Sequence, residues 1–119
     1  MDRTSEFNRK DIEENKGIAA FAYFGISFIM PLWGASDSPF ARFHANQGMV
    51  LAINELIVCI LILISHMLVA VNPIFRYIRT VLWFALVFAI IYYSVYGTVN
   101  AMRGNAKELP FIGNLKIIR

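Results

Sequence analysis

Three apolar runs, separated by polar and turn-forming residues, organise the chain. The first, GIAAFAYFGISFIMPLW, fills residues 17–33 without a charge, the lower length limit for a helix crossing a hydrocarbon core of about 30 Å. Asp11 is placed to cap it upstream, Glu13 and Glu14 suit the positive end of a first turn, and Pro31 fits a kink or stop near its end. The second run covers residues 48–71. The preceding SDSPFARF offers Asp37 or Ser38 as cap and Pro39 as first helical residue. One helix from Pro39 to Val71 would be about 50 Å long. Its first turns are then expected at the membrane interface, with Gly48 a candidate bend and Asn72-Pro73 closing it.

The third run covers residues 81–102, with Trp83 marking one interface and Tyr92, Tyr93 and Tyr96 approaching the other. The tail, residues 103–119, is too short and charged to span. Its Phe111, Ile112, Leu115, Ile117 and Ile118 are expected to rest on the membrane surface. The pattern predicts an all-α integral membrane protein, a single membrane domain over residues 1–119. It has three transmembrane helices (about 17–33, 48–71 and 81–102), an interfacial segment before the second, and a surface-lying C-terminal tail over residues 103–119.

Composition agrees with that class. Apolar residues make up 58 % and charged residues 16 %, against roughly half and a quarter in soluble domains. Ten phenylalanines, five tyrosines and two tryptophans suit rings at lipid headgroups. The net charge of +3 is spread over tails and loops, without the one-sided clustering that nucleic acid requires, so membrane lipids are the expected partner of the basic excess. Cys59 is the one cysteine and has no intrachain disulfide partner. The first 16 residues mix four basic with five acidic side chains and precede no small-residue cleavage site, so the first span is expected to stay as an anchor. Six Lys and Arg on one side of a three-span topology face five on the other, which leaves overall orientation open. The contrast across the first span, four against one, favours a cytoplasmic N-terminus in a bacterial inner membrane.

The second run carries polar residues inside lipid-length apolar sequence. On a wheel at about 100° per residue, the non-apolar side chains from Gln47 to His66 (Gln47, Asn54, Glu55, Cys59, Ser65 and His66) fall within an arc of about 140°. They can turn away from lipid together. An ionisable residue at that depth needs a bundle interior or wet cavity. Tyr93, Tyr96 and Asn100 share one face of the third run, beside Gly97, and are the candidate partners, a Glu55–tyrosine hydrogen bond first among them. The stripe admits three readings: interhelical contact, a water-lined groove, or proton relay. His44 and His66, roughly 33 Å apart on one helix, form no shared metal site. His66 is expected to be a packing residue and Cys59 a small apolar filler. No phosphate-binding loop, nucleophile elbow or zinc-protease motif is present. Catalytic residues, cofactor sites and metal sites are therefore all expected to be none.

The segment SDSPFARFHANQGMVL carries a resemblance. Ser38, Pro39, Phe40, Arg42, Phe43, His44, Ala45 and Gln47, followed by Met102-Arg103-Gly104 and LPFIGNLKIIR, resemble a bacterial family of small membrane proteins of unknown function. That family is related to the Tic-type component of chloroplast inner-envelope protein import and to some magnetosome membrane proteins. The resemblance implies a helical membrane subunit without an established reaction or cofactor. The chloroplast relatives carry an additional span that is not found here, so a protein-conducting role does not transfer. The residues themselves suggest an interfacial motif: Phe40 and Phe43 dipping into the headgroups, Arg42 pairing with phosphate, and His44 and Gln47 leading into the stripe. Its purpose is then depth-setting, or docking of lipid or partner.

Taken together, the expected function is a non-enzymatic membrane subunit in a scaffold, assembly or transport-accessory role. It would join a second copy or another membrane protein through helix contacts. The alternatives are a small oligomeric channel or carrier lined by the stripe, and a lipid-binding membrane protein.

Overall fold

Asn8 begins the helical part of the chain. Its side chain accepts from the Lys10 amide at 2.8 Å and starts α1, Arg9–Ala19, satisfying one of the free amides of the first turn. The computed structural model describes residues 2–115. Beyond α1 it contains α2, Ile29–Gly34, α3, Pro39–Leu68, and α4, Ile74–Met102, with 3₁₀ turns at Thr4–Glu6, Ala20–Tyr23 and Gly25–Phe28. Among the described residues the regular structure is helical, apart from one isolated antiparallel bridge between Asp2 and Lys107.

α3 and α4 make a long antiparallel hairpin that sets the 57 Å axis of the molecule. α1, the 3₁₀ turns, α2 and the segment after α4 pack around one end of it, forming a head on a two-helix stem. Both stem helices are long and apolar enough to cross a membrane.

The first apolar run does not make the one transmembrane helix that its composition predicts. Phe24 leaves helical backbone (φ −116°, ψ 81°) and Gly25 takes φ +59°, a left-handed conformation that costs little only for glycine. The chain then reverses. Gly34 comes back against Ile18, where an added Cβ would lie 2.5 Å from Cδ1. Further on, the Asp11 carboxylate accepts from the Ser38 hydroxyl and from the Phe40 amide at 3.0 Å. Residues 17–33 are thus a short helix–turn–helix whose two ends return to the same end of the molecule. Asp11, expected to cap that run, instead closes the N-terminus of α3 from across the head.

Pro39 does open α3, with Ser38 as its cap: the Ser38 hydroxyl accepts from Ala41 at 3.0 Å. Gly48 is no bend. A Cβ there would lie 1.9 Å from the Ala22 carbonyl oxygen, so glycine lets the returning run press backbone against helix. Gly97 does the same on α4, where a Cβ would lie 2.3 Å from the ring of Tyr23. Tyr23 is therefore wedged between α3 and α4, and Ser94 donates to its carbonyl at 2.8 Å. α4 starts at Ile74 rather than at residue 81, because Asn72 accepts from the Ile74 amide at 3.0 Å. Arg76 and Arg79, between the second and third apolar runs, lie on this helix.

Along the stem the less exposed positions are Leu51, Glu55, Val58, Ile62 and Ser65 on α3. On α4 they are Arg79, Leu82, Leu86, Ala89 and Tyr93. Both sets repeat every three to four residues, the seam of two packed helices. The outward sides are apolar and bare: Leu56, Ile60 and Leu63 on α3, and Phe84 and Phe88 on α4.

The close approach at the head gives a stability test. Gly48→Ala drives a methyl into backbone and is expected to destabilise by about 1–3 kcal/mol, the usual cost of overpacking. Gly17→Ala, with nothing within 4 Å of the added atom, should be neutral or stabilise by up to ~1 kcal/mol through helix propensity. Thermal unfolding in detergent, followed by circular dichroism, measures both; equal melting temperatures would contradict the packing described.

Candidate functional site: a clamp on the C-terminal segment

Residues 103–115 leave α4 through Gly104, whose φ of +76° ends the helix, and run back over the head as an irregular strap. Buried backbone without regular structure needs hydrogen-bond partners. α3 supplies them from side chains within about one turn, His44 to Gln47. His44 Nε2 lies 3.0 Å from the Asn105 carbonyl, and its Nδ1 meets the Tyr23 hydroxyl. A carbonyl only accepts, so Nε2 carries the proton and Nδ1 accepts from tyrosine. His44 is held as one neutral tautomer, with no solvent exposure.

Gln47 does more. Its Nε2 donates to the Gly113 carbonyl at 2.7 Å, while its Oε1 accepts from the Leu109 amide at 2.8 Å. The same two strap residues close on each other, Gly113 N–H to Leu109 C=O at 2.9 Å. One amide side chain thereby reads both ends of a tight turn. A Cβ on Gly113 would lie 2.6 Å from Gln47 Oε1, so the turn admits only glycine there. Asn46 donates to the Leu115 carbonyl at 2.8 Å, and Tyr93 donates to Pro110 at 2.9 Å.

The N-terminal residues complete the clamp. The Arg3 amide donates to the Ala106 carbonyl at 2.8 Å, and the Ala106 amide donates to the Thr4 hydroxyl at 2.9 Å. Hydrogen bonds from the Thr4 hydroxyl and amide hold the Asp2 carboxyl below the usual carboxylate range. Phe40 and Phe43 set their rings edge-on against both His44 and Phe7, and the Arg3 guanidinium lies 5.8 Å over the Phe43 ring.

The motif residues thus have a place different from the one expected. Phe40 and Phe43 do not dip into headgroups; they are buried in the head core. His44 and Gln47 are spent on the strap. Arg42 stays at the surface side of α3, its guanidinium 3.5 Å from the Ser36 carbonyl.

The model of the MamF/MmsF family, described as the magnetosome magnetite crystal formation protein family, matches residues 14–117. The chain belongs to this family. The match takes in the run that folds back, the α3 side of the clamp, both stem helices and the strap, and it speaks only to the magnetosome limb of the sequence resemblance. No curated protein and no solved structure matches the chain.

The stripe divides into three groups. Gln47 and Ser65 are buried, Asn54 and Glu55 are half-buried, and Cys59 and His66 are exposed. Asn54 donates to Val50 in its own helix at 2.8 Å, and Asn100 donates to Tyr96 likewise. His66 Nδ1 meets the Arg79 guanidinium near the stem's far end. The expected Glu55–tyrosine bond does not form, since Tyr93 is committed to Pro110 and no group among the described residues bonds the Glu55 carboxylate. On the tail, Phe111 is 97 % exposed and Leu115 exposed, while Ile112 packs on the head core; Ile117 and Ile118 lie outside the described residues. Tyr23, Asn46 and Asp11 carry structural roles that sequence reasoning missed. For Asn46 and Gly113 there was a signal, an amide next to Gln47 and a Pro-Phe-Ile-Gly turn; for Tyr23 there was none.

Gln47→Leu removes both partners of the turn at nearly constant size. It is expected to cost about 1–3 kcal/mol, the penalty for buried groups left unbonded, and to raise amide exchange at Leu109 by about tenfold or more. Hydrogen exchange in detergent, read by mass spectrometry, checks this; unchanged protection of residues 105–113 would show that the strap does not depend on Gln47.

Proposed function

We propose that the chain is a non-enzymatic subunit of the membrane in which magnetite crystals form. α3 and α4 cross the bilayer, and association with a second copy or another membrane protein occurs through the stem. Family membership over residues 14–117 supports the part concerning crystals. The part concerning assembly rests on Glu55. It sits in the α3–α4 seam, half-buried, with no bond among the described residues, at a depth where an unpaired carboxyl costs a few kcal/mol. A partner in the membrane plane that reaches this seam would offset that cost.

The two histidines point the same way. His44 has both ring nitrogens bonded within the protein, and His66 is engaged by Arg79. Polar chemistry at both ends of the molecule is used to hold the fold together, which is what a scaffold requires. Membrane lipids cover the remaining apolar surface of the stem.

Two measurements test this. In a magnetosome-forming host, deletion of the chain is expected to alter crystal size or number by electron microscopy, and unaltered crystals would remove the crystal-formation part. Mild detergent extraction followed by mass measurement should give an oligomer or a defined complex. Glu55→Leu should weaken it about 5- to 30-fold, as for the loss of 1–2 kcal/mol of interhelical hydrogen bonding. A monomeric wild type would end the assembly reading. An intact oligomer whose ion flux changes with Glu55→Gln would instead favour a channel lined by the stripe.

A further inference from the structure

We infer that the chain enters the membrane from one side only. In this arrangement residues 17–33 dip to the border of the hydrocarbon core and return, α3 and α4 alone cross, and the N-terminal segment, clamp and strap lie together on the cytosolic face. The inference rests on the proposed crossing of the bilayer by α3 and α4 and adds the fold-back and the sidedness to it.

Geometry fixes where the dip stops. On the stem the returning run sets Ala22 on Gly48, the Tyr23 ring on Gly97 and the Tyr23 carbonyl on Ser94, one turn further along α4. From Gly48 to the end of α3 at Leu68 the helix rises about 30 Å, the thickness of a hydrocarbon core. The level of Tyr23 is therefore the head-side border of that core. At this level the turn exposes Phe21, Phe24 and Ile26, apolar side chains suited to the bilayer boundary. Its ascending half is tied back by the Gly34–Ile18 contact and by Asp11 holding Ser38 and Phe40. A helix crossing to the far side would leave all of these contacts unmade.

This fold changes the charge balance. With residues 17–33 returning, Arg3, Arg9, Lys10, Lys16, Arg42, Arg103 and Lys107 belong to one side, and Arg76 and Arg79 to the other. Seven against two among the described residues replaces the near-tie of a three-span topology. Basic residues in short loops stay in the cytosol, which places the head there. The opposite face receives little more than the turn at residues 69–73. The head then meets its partners from the cytosol, and its action on a crystal across the membrane runs through the stem or through those partners.

Site-directed labelling decides it. In a Cys59→Ala background, single cysteines are introduced as Ser5→Cys, Ser36→Cys and Val71→Cys, all at exposed positions. Sealed right-side-out spheroplasts are treated with a membrane-impermeant maleimide before and after permeabilisation. Position 71 is expected to label from outside, with positions 5 and 36 labelling at least tenfold more after permeabilisation. Positions 5 and 36 on opposite sides would restore the three-span topology and overturn the inference. Positions 5 and 36 labelling from outside, with 71 protected, would overturn the sidedness. All three on one side would instead remove the crossing of α3 and α4, the reading on which the inference stands.

Discussion

The structure depends on the satisfaction of irregular backbone against a helix. A thirteen-residue strap (residues 103–115) has no ladder of its own, and buried peptide groups left without partners cost about 1–3 kcal/mol each. His44, Asn46 and Gln47 meet that demand from the first turns of α3, and Thr4, Arg3 and Tyr93 meet the rest. The strap in turn buries Leu109 and Ala106 in the head core. Removal of the polar side chains would leave helices that still pack, but with no reason for the C-terminal segment to return.

Tyr23 couples this clamp to the stem. Its ring occupies the space that Gly97 leaves, its carbonyl accepts from Ser94, and its hydroxyl donates to Nδ1 of the His44 ring that binds the strap. Backbone at Ala22 meanwhile touches α3 at Gly48. The two glycines thus admit the fold-back of the first run, and the fold-back orients the histidine. A larger residue at either glycine position would separate the head from the stem.

Much of this was legible in the sequence, for definable reasons. Ser38-Pro39 gave the start of α3, because cap and first-turn proline are local signals, and the lengths of the second and third runs marked two long apolar helices. Gly97 was readable as a site of close approach, though its neighbour proved to be Tyr23. The first run was misread because hydropathy averages over a turn: one glycine with positive φ ends a helix without changing the apolar count. The motif around His44 was misplaced for a related reason. Aromatic, cationic and amide residues beside an apolar run suit either a lipid interface or a buried clamp, and only the distant LPFIG segment decides between them. Asp11 shows the same limit, since a carboxylate near one helix start was used at another helix 29 residues away.

The polar residues of α3 separate by whether their hydrogen bonds close within one chain. Those at head level, His44, Asn46 and Gln47, bond to backbone carbonyls of the strap, and Gln47 also to an amide. Asn54 turns onto its own helix, and His66 meets Arg79. Glu55 differs from these five and, with Ser65, has no side-chain hydrogen bond among the described residues. It occupies a seam position between helices, where a leucine would pack without desolvation cost, and it is given nothing to bond within the described chain. Head and stem therefore divide two tasks. The head uses its polar groups to fix its own shape, whereas the stem leaves one half-buried carboxyl without a bond among the described residues. The association proposed above therefore falls to the apolar half of the molecule and not to its more polar half.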